Sequence, residues 1–247
     1  HLSPLSISGK VRGLLTAYNQ IKRLYGHEQL EMAIPALRSV IDRRDYAHFH
    51  YHEANDLFRT FAEEHLANEP LLWVIHQSDE SFSEFHWLIT KIGAHVVACI
   101  QSLHAIADIM AHAVYYSLGM NRSDNALRDA NISATTVLEK LGDSAELSIV
   151  HHLMTELASG GHADHLAALS NYSKHRSIIR TAMTEDWTGE EPERHRLTLG
   201  GLSYKGKSFP DVRVKDFITD EHDRIARLIV DTGNAMHAVL LLRAGNS

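Results

Sequence analysis

Cysteine is almost missing from this sequence, which has one in 247 residues, Cys99. A single thiol excludes an intrachain disulfide and a cysteine-based zinc site. The chain also lacks the GxxxxGK[ST] phosphate loop, the GxGxxG fingerprint, the GxSxG nucleophile elbow and the CxxC pair. The motifs that identify P-loop NTPases, dinucleotide-binding enzymes, α/β-hydrolases and thiol oxidoreductases are therefore absent from it.

Positive charge is also scarce, because 24 Lys and Arg face 31 Asp and Glu, for a net charge of −7. This balance excludes a protein that coats nucleic acid over its whole surface, although a local basic pocket remains open. Histidine is abundant at 19 residues, so short histidine motifs are expected by chance. The first ten residues, HLSPLSISGK, show no secretory signal, which together with the lone cysteine predicts a cytoplasmic protein.

The most apolar segment, 88–118, is long enough to span a bilayer. It contains Lys91 and Asp108, each of which costs roughly 3 kcal/mol near the middle of a bilayer. The sequence therefore predicts a buried helix of a water-soluble protein and no membrane partner.

Proline is rare, with 5 residues, and helical periodicity dominates the chain. The predicted fold is mainly α: a single helical bundle over 1–247, with a small antiparallel β ribbon at about 177–217 inserted before the C-terminal helix. The predicted helices are 10–25, 27–44, 45–66, 83–118, 133–142, 143–160, 162–173 and a last helix from Thr219. The ribbon is expected from Ser177–Arg180, Arg194–Leu199, Leu202–Phe209 and 212–214.

One polar stripe interrupts the apolar stretch QSLHAIADIMAH at 101–112. His104, Asp108 and His112 lie four residues apart and so share one helix face. Because the other faces are apolar, we expect this stripe to be buried opposite a polar partner. A satisfied structural network, an active or binding site and a metal site all fit the pattern.

A second polar stretch, NYSKHR at 171–176, falls where helical periodicity gives way to a strand pattern. Lys174 and Arg176 are suited to holding a phosphate or carboxylate, and His175 can transfer a proton near neutral pH. The same residues are also explained by a helix C-terminus, where positive side chains interact favourably with the negative end of the helix dipole. We expect the Asp108 stripe to meet these cations.

A third cluster of histidines lies at 43–52, RRDYAHFHYH, where His48 and His52 share a helix face. Arg44 followed by His50 matches an R-x4–6-H spacing. Such spacings arise a few times by chance in a chain with this composition.

Two of these stretches resemble a known family. HAIADIMAHAVYYSLGMN at 104–121, with its LHxxxD pattern, and NYSKHRSII at 171–179, with NxxKHR, are similar to a family of prokaryotic HEPN-like helical proteins. Many HEPN proteins act in toxin–antitoxin, restriction or antiviral systems, and the active ones are typically metal-independent ribonucleases with a site assembled across a dimer. Here His175 precedes Arg176, which departs from their Arg-before-His order.

The resemblance implies a cytoplasmic homodimer that binds RNA or a nucleotide, and leaves open whether it also cleaves it. Within this hypothesis we predict catalytic roles for His175, Arg176, Asp108 and His104, and substrate-binding roles for Lys174, Asn171 and His112. No metal and no cofactor is expected. Two alternatives remain: a non-catalytic interaction module whose His-Asp-His stripe is structural, and a metal-dependent hydrolase using His104, Asp108 and His112.

Overall fold

The computed structural model describes residues 17–67 and 69–245. The part of the first predicted helix that falls on 10–16 lies outside these residues. The described residues contain eight α-helices and a few short antiparallel strands before the last helix, so the prediction of a mainly α fold is confirmed.

Three long helices dominate the described residues. The helices are α1 (17–25), α2 (His27–His65), α3 (Leu71–Ile75), α4 (Asp79–Ser117), α5 (Ala134–Gly142), α6 (Ser148–Ala158), α7 (Gly161–His175) and α8 (Val214–Gly245). Three 3-10 turns, Met120–Arg122, Asp129–Asn131 and Ala145–Leu147, join them. Gly26 and Gly119 separate helices with φ of 93° and 69°, values that favour glycine. Both glycines were predicted to be helix ends.

The predicted division of α2 at Arg44 and Asp45 is wrong. The helix runs unbroken from His27 to His65 and contains Pro35 in its interior. A proline there removes one backbone hydrogen bond. Burial of Ala33 and Leu37 on either side of it favours continuation of the helix.

Helix α5 begins as the sequence predicts. The Ser133 side chain accepts a hydrogen bond from the Thr136 amide, and the Thr136 hydroxyl accepts one from the Ser133 amide, which completes a capping box. The predicted start of the next helix at residue 143 is wrong, because Asp143 closes α5 and α6 begins at Ser148. Glu146 pairs instead with Arg243, at 2.9 Å.

Five strands follow α7: β1 (Thr181–Glu185), β2 (His195–Leu199), β3 (Leu202–Tyr204), β4 (Lys207–Phe209) and β5 (Val212–Arg213). They form an antiparallel sheet with the order β1-β2-β5 and a separate β3-β4 hairpin. The predicted strand at Ser177–Arg180 is wrong, because pairing begins at Thr181, opposite Leu199. The last helix begins at Val214, before the predicted Thr219.

The chain divides into two compact units. Unit 1 is formed by the described parts of His1–Arg44, His104–Asp164 and His222–Ser247. Unit 2 is formed by the described parts of Asp45–Leu103 and His165–Glu221, and it contains all five strands.

Unit 1 is held by Arg243, whose side chain is about three-quarters buried. It donates to the Glu146 carboxylate, to the Tyr25 hydroxyl at 2.8 Å and to the Leu118 carbonyl at 2.9 Å. In the same unit the fully buried Tyr115 accepts a hydrogen bond from the Leu127 amide at 2.7 Å.

Two of the described helices, Asp79–Ser117 and Val214–Gly245, are long and apolar enough to cross a membrane by length and composition. Core helices of water-soluble proteins pass the same test, so this finding leaves the cytoplasmic location as a prediction.

Candidate functional site

The α7–β1 junction in unit 2 carries the predicted Lys174-His175-Arg176 cluster. Helix α7 ends at His175, where the Arg176 and Ser177 amides donate to the Tyr172 carbonyl at 2.9 and 3.1 Å. Lys174, His175 and Arg176 are all exposed. The positive charges of Lys174 and Arg176 also suit the negative end of the helix dipole. The turn therefore presents three adjacent polar side chains to solvent.

The β3-β4 hairpin adds an aromatic ring to this cluster. The guanidinium of Arg176 lies 5.1 Å from the centre of the Tyr204 ring, and the ammonium of Lys205 lies 5.5 Å from it. Both distances are those of cation–π contacts. Lys205 and Gly206 have φ of 50° and 78°, as a tight two-residue hairpin turn requires.

Stacking against α7 holds this hairpin in place. The His165 ring lies 4.9 Å from the Phe209 ring and 5.0 Å from the Phe217 ring. His165 is on α7 and Phe209 on β4, so the hairpin is fixed relative to the helix that carries Lys174.

We name Lys174, His175, Arg176, Tyr204 and Lys205 the junction surface. Within the described ranges, no ion pair joins Lys174, Arg176 or Lys205 to a carboxylate. Three positive charges, two of them beside an aromatic ring, are thus left available to an external anion. Phosphate is suited to such a surface, because Arg binds it bidentately and Lys binds it as a point charge.

Asn171 lies one helical turn before His175 and is half-buried. Near it, the Gln101 amide donates to the Ser173 hydroxyl at 3.4 Å, which links α4 to α7 within unit 2. Gln101, the first residue of the stretch 101–112, thus contacts α7.

The expected burial of Asp108 is wrong. Asp108 is exposed, and its carboxylate accepts a hydrogen bond from the Ala134 amide at 2.9 Å. Ala134 is the first residue of α5, so the carboxylate satisfies a free amide at the positive end of that helix. This contact is structural, and it lies in unit 1, whereas Lys174-His175-Arg176 lies in unit 2.

His104 and His112, the other members of the stripe, are half-buried in unit 1. The His112 ring lies 6.3 Å from the Tyr116 ring one turn away. Burial and a hydrogen bond to Asp129 raise the pKa of Tyr116 to about 12. Among residues 17–67 and 69–245, no group of three or more His, Cys, Asp or Glu is arranged to hold a metal ion.

The histidines of the third stretch form pairs. The His48 and His52 rings lie 4.3 Å apart on α2, and the Nδ1 atoms of His50 and His95 lie 3.0 Å apart. Burial and the neighbouring His95 lower the pKa of His50. The ring nitrogens of this pair can share one proton.

Sequence reasoning missed a cleft of about 690 Å³ in unit 2. One wall is a face of α2 that includes Tyr51, Phe58 and Leu66, and the other is formed by β2 and by residues 213–216. Its volume suits a small organic ligand. The alternation Arg194-His195-Arg196 was the available signal, since side chains alternate between the faces of a strand and the two arginines therefore share one face.

A buried carboxylate supports this cleft. The side chain of Glu185 is 4% exposed and accepts from the Leu71 amide at 2.9 Å. The Arg194 guanidinium donates to Glu185 Oε1 at 2.9 Å, and His195 Nε2 lies 3.3 Å from the same oxygen. Glu185 therefore ties β1, β2 and α3 together.

Comparison with known proteins found no similar protein. No family model matches the chain, and no curated protein and no solved structure matches it.

Proposed function

We propose that the protein binds single-stranded RNA through the junction surface. The observation that carries this proposal is a set of three cations without carboxylate partners, two of which, Arg176 and Lys205, lie at the Tyr204 ring. Proteins that bind single strands combine positive side chains for the phosphates with flat groups on which bases stack. Arg176 and Tyr204 offer such flat groups, and Lys174 and Lys205 supply further charge.

The proposal agrees with the overall negative charge. A net charge of −7 repels nucleic acid in general, so binding depends on the few places where cations are unpaired. The resemblance to HEPN-like proteins favours RNA as the polymer. The homodimer and the role in prokaryotic defence or a toxin–antitoxin pair that this resemblance implies stay predictions.

His175 is the group at this surface that could transfer a proton to or from a ribose hydroxyl. It is exposed between two cations in sequence, where a phosphate held by its neighbours comes within reach. Cleavage of RNA would then need no metal. The binding proposal stands apart from cleavage, which is measured separately.

Binding is tested by fluorescence anisotropy with a labelled single-stranded RNA of about a dozen nucleotides. The Lys174→Ala/Arg176→Ala variant is expected to bind at least tenfold more weakly, because two phosphate contacts are lost. Arg59→Ala is the matched control: Arg59 is also exposed and lies in unit 2, but it pairs with Asp56 and Glu63. Equal affinity of the double variant and the wild type would refute the proposal.

The same RNA, incubated with the wild type and with His175→Ala, shows whether the surface also cleaves. Loss of cleavage in a folded His175→Ala protein would support a catalytic role. Unchanged cleavage would remove His175 from the reaction.

One observation favours a second candidate, a non-catalytic interaction module. The bond from the Ala134 amide to Asp108 makes the centre of the polar stripe a helix cap. On this account Asp108→Ala lowers the free energy of unfolding by about 1 kcal/mol and leaves RNA affinity unchanged.

A further inference from the structure

The cleft in unit 2 has one apolar and one cationic wall. Tyr51, Phe58 and Leu66 recur every seven or eight residues along one face of α2, which gives the apolar wall. Arg196 from β2, with Arg213 and Lys215 from the next segment, gives the cationic wall. A site with these two walls fits a ligand that has an anionic group and an apolar body.

Carboxylates from the β1–β2 loop already contact the cationic wall. Glu191 lies 3.0 Å from Arg196 and also contacts Arg213, while Glu193 contacts Lys215. Hydrogen bonding to Glu193 raises the pKa of Lys215, which keeps its ammonium charged. Two negative charges of the chain itself thus lie against three positive charges of the cleft.

Asp186 folds the loop that carries these two carboxylates. It accepts from the Thr188 amide at 3.0 Å, the Thr188 hydroxyl at 2.7 Å and the Glu191 amide at 3.0 Å. Pro192 and Glu193 of the loop line the cleft itself. Since the loop lies at the surface, it can leave the cationic wall without disrupting the sheet.

Two buried nitrogens at the cleft are incompletely satisfied. His195 Nε2 and Arg196 Nη1 are buried, yet neither makes a hydrogen bond of good geometry to a described residue. His195 has a side chain only 9% exposed, and Arg196 is paired with Glu191 by distance alone. Buried polar groups of this kind call for an explanation, and a bound ligand is one that the cleft can accommodate.

We propose that this cleft binds a small phosphate monoester with an aromatic or apolar body. Its phosphate takes the place of the Glu191 and Glu193 carboxylates on Arg196, Arg213 and Lys215. A phosphate monoester carries nearly two negative charges near pH 7, which matches the two carboxylates it displaces. The loop carboxylates then compete with the ligand for the same cations and weaken its binding. A phosphate without an apolar body makes no contact with the apolar wall and is therefore not expected to displace them.

The proposal does not depend on RNA binding at the junction surface, because the two sets of residues have no member in common. Calorimetric titration with 1-naphthyl phosphate is the direct test. Inorganic phosphate and 1-naphthol serve as the two halves of the probe. Each half is expected to bind at least tenfold more weakly than the whole molecule.

Charge variants identify the site. Glu191→Gln/Glu193→Gln removes the competitors and is expected to tighten 1-naphthyl phosphate binding at least tenfold. Arg213→Gln/Lys215→Gln is expected to weaken it at least tenfold. Glu190→Gln, an exposed acid in the same loop, is the matched control and leaves affinity unchanged. Lys174→Ala/Arg176→Ala also leaves it unchanged, which separates this site from the junction surface.

Two results would overturn the proposal that the cleft binds a phosphate monoester. If Glu191→Gln/Glu193→Gln lowers the melting temperature without any gain in affinity for 1-naphthyl phosphate, the carboxylates only fasten the loop and the proposal is overturned. Binding that Arg213→Gln/Lys215→Gln leaves intact overturns it as well. Should that variant fail to fold, the loop variant alone still decides.

Discussion

The junction surface and the cleft both present three cationic side chains, yet they differ in what those cations contact. Arg196, Arg213 and Lys215 in the cleft are paired with carboxylates of the β1–β2 loop. Lys174, Arg176 and Lys205 at the junction form no ion pair with a described carboxylate. The difference teaches that the number of basic residues in a segment does not report how much of their charge is free for a ligand and how much a ligand must win from a carboxylate of the chain.

The largest expected effect concerns the buried anion beneath the cleft. Glu185→Gln should lower the free energy of unfolding by about 2–3 kcal/mol, because it leaves Arg194 and His195 next to a neutral amide. Urea unfolding measures this effect, with Glu190→Gln as the exposed control. A change below about 0.5 kcal/mol would mean that Glu185 does not hold this side of unit 2 together.

Removal of one cation from each region sharpens the comparison. Arg213→Gln should cost about 1 kcal/mol of stability, since it leaves Glu191 with one partner fewer, and should not change RNA affinity. Arg176→Gln should reverse this result, with stability within about 0.5 kcal/mol of the wild type and several-fold weaker RNA binding. Equal effects of the two variants on both measurements would break the distinction.

The aromatic ring of the junction surface should contribute less than its charges. Tyr204→Leu removes a stacking surface and the cation–π contact with Arg176, which together are worth about 1 kcal/mol, or roughly fivefold in RNA affinity. Tyr51→Leu in the cleft is the control and should not affect RNA binding. Unchanged affinity of Tyr204→Leu would restrict the surface to phosphate contacts.

Acid should open the β1–β2 loop. Hydrogen bonds from the Thr188 side chain and amide lower the pKa of Asp186 below its usual value of 3.8. Because the pKa of Asp186 is depressed, its ionised carboxylate stabilises the folded loop above about pH 4. This stabilisation is lost as the pH falls through the folded-state pKa. Fluorescence of Trp187, in a protein with Trp73 and Trp87 changed to Phe, should report the opening, and Asp186→Asn should show it at neutral pH.

Much of the fold followed from local patterns. Gly26, Gly119 and the Ser133 cap are fixed by short-range backbone chemistry, so their roles could be predicted. The continuation of α2 past Arg44 and Asp45 could not, because it depends on tertiary burial of residues such as Ala47. Strand β1 begins at Thr181, later than predicted, for a similar reason, since its register depends on pairing with β2.

The candidate site was predictable only in part. The Lys174-His175-Arg176 cluster was visible as consecutive residues, and its exposure agrees with a helix end. Asp108 was misjudged because an apolar neighbourhood in sequence does not report which residue of the stripe lies at the surface. The cleft was missed because its walls come from residues about 140 positions apart, beyond the reach of any local pattern.

The salt dependence of RNA binding tests the central claim most directly. The dissociation constant of the labelled RNA is measured for the wild type and for Lys174→Ala/Arg176→Ala. The salt concentration is varied on both sides of ~150 mM, the physiological ionic strength. Each phosphate contact on a single strand contributes about 0.7 to the slope of log affinity against log salt, so the account predicts a slope smaller by about 1.4 in the variant. Identical slopes would contradict it.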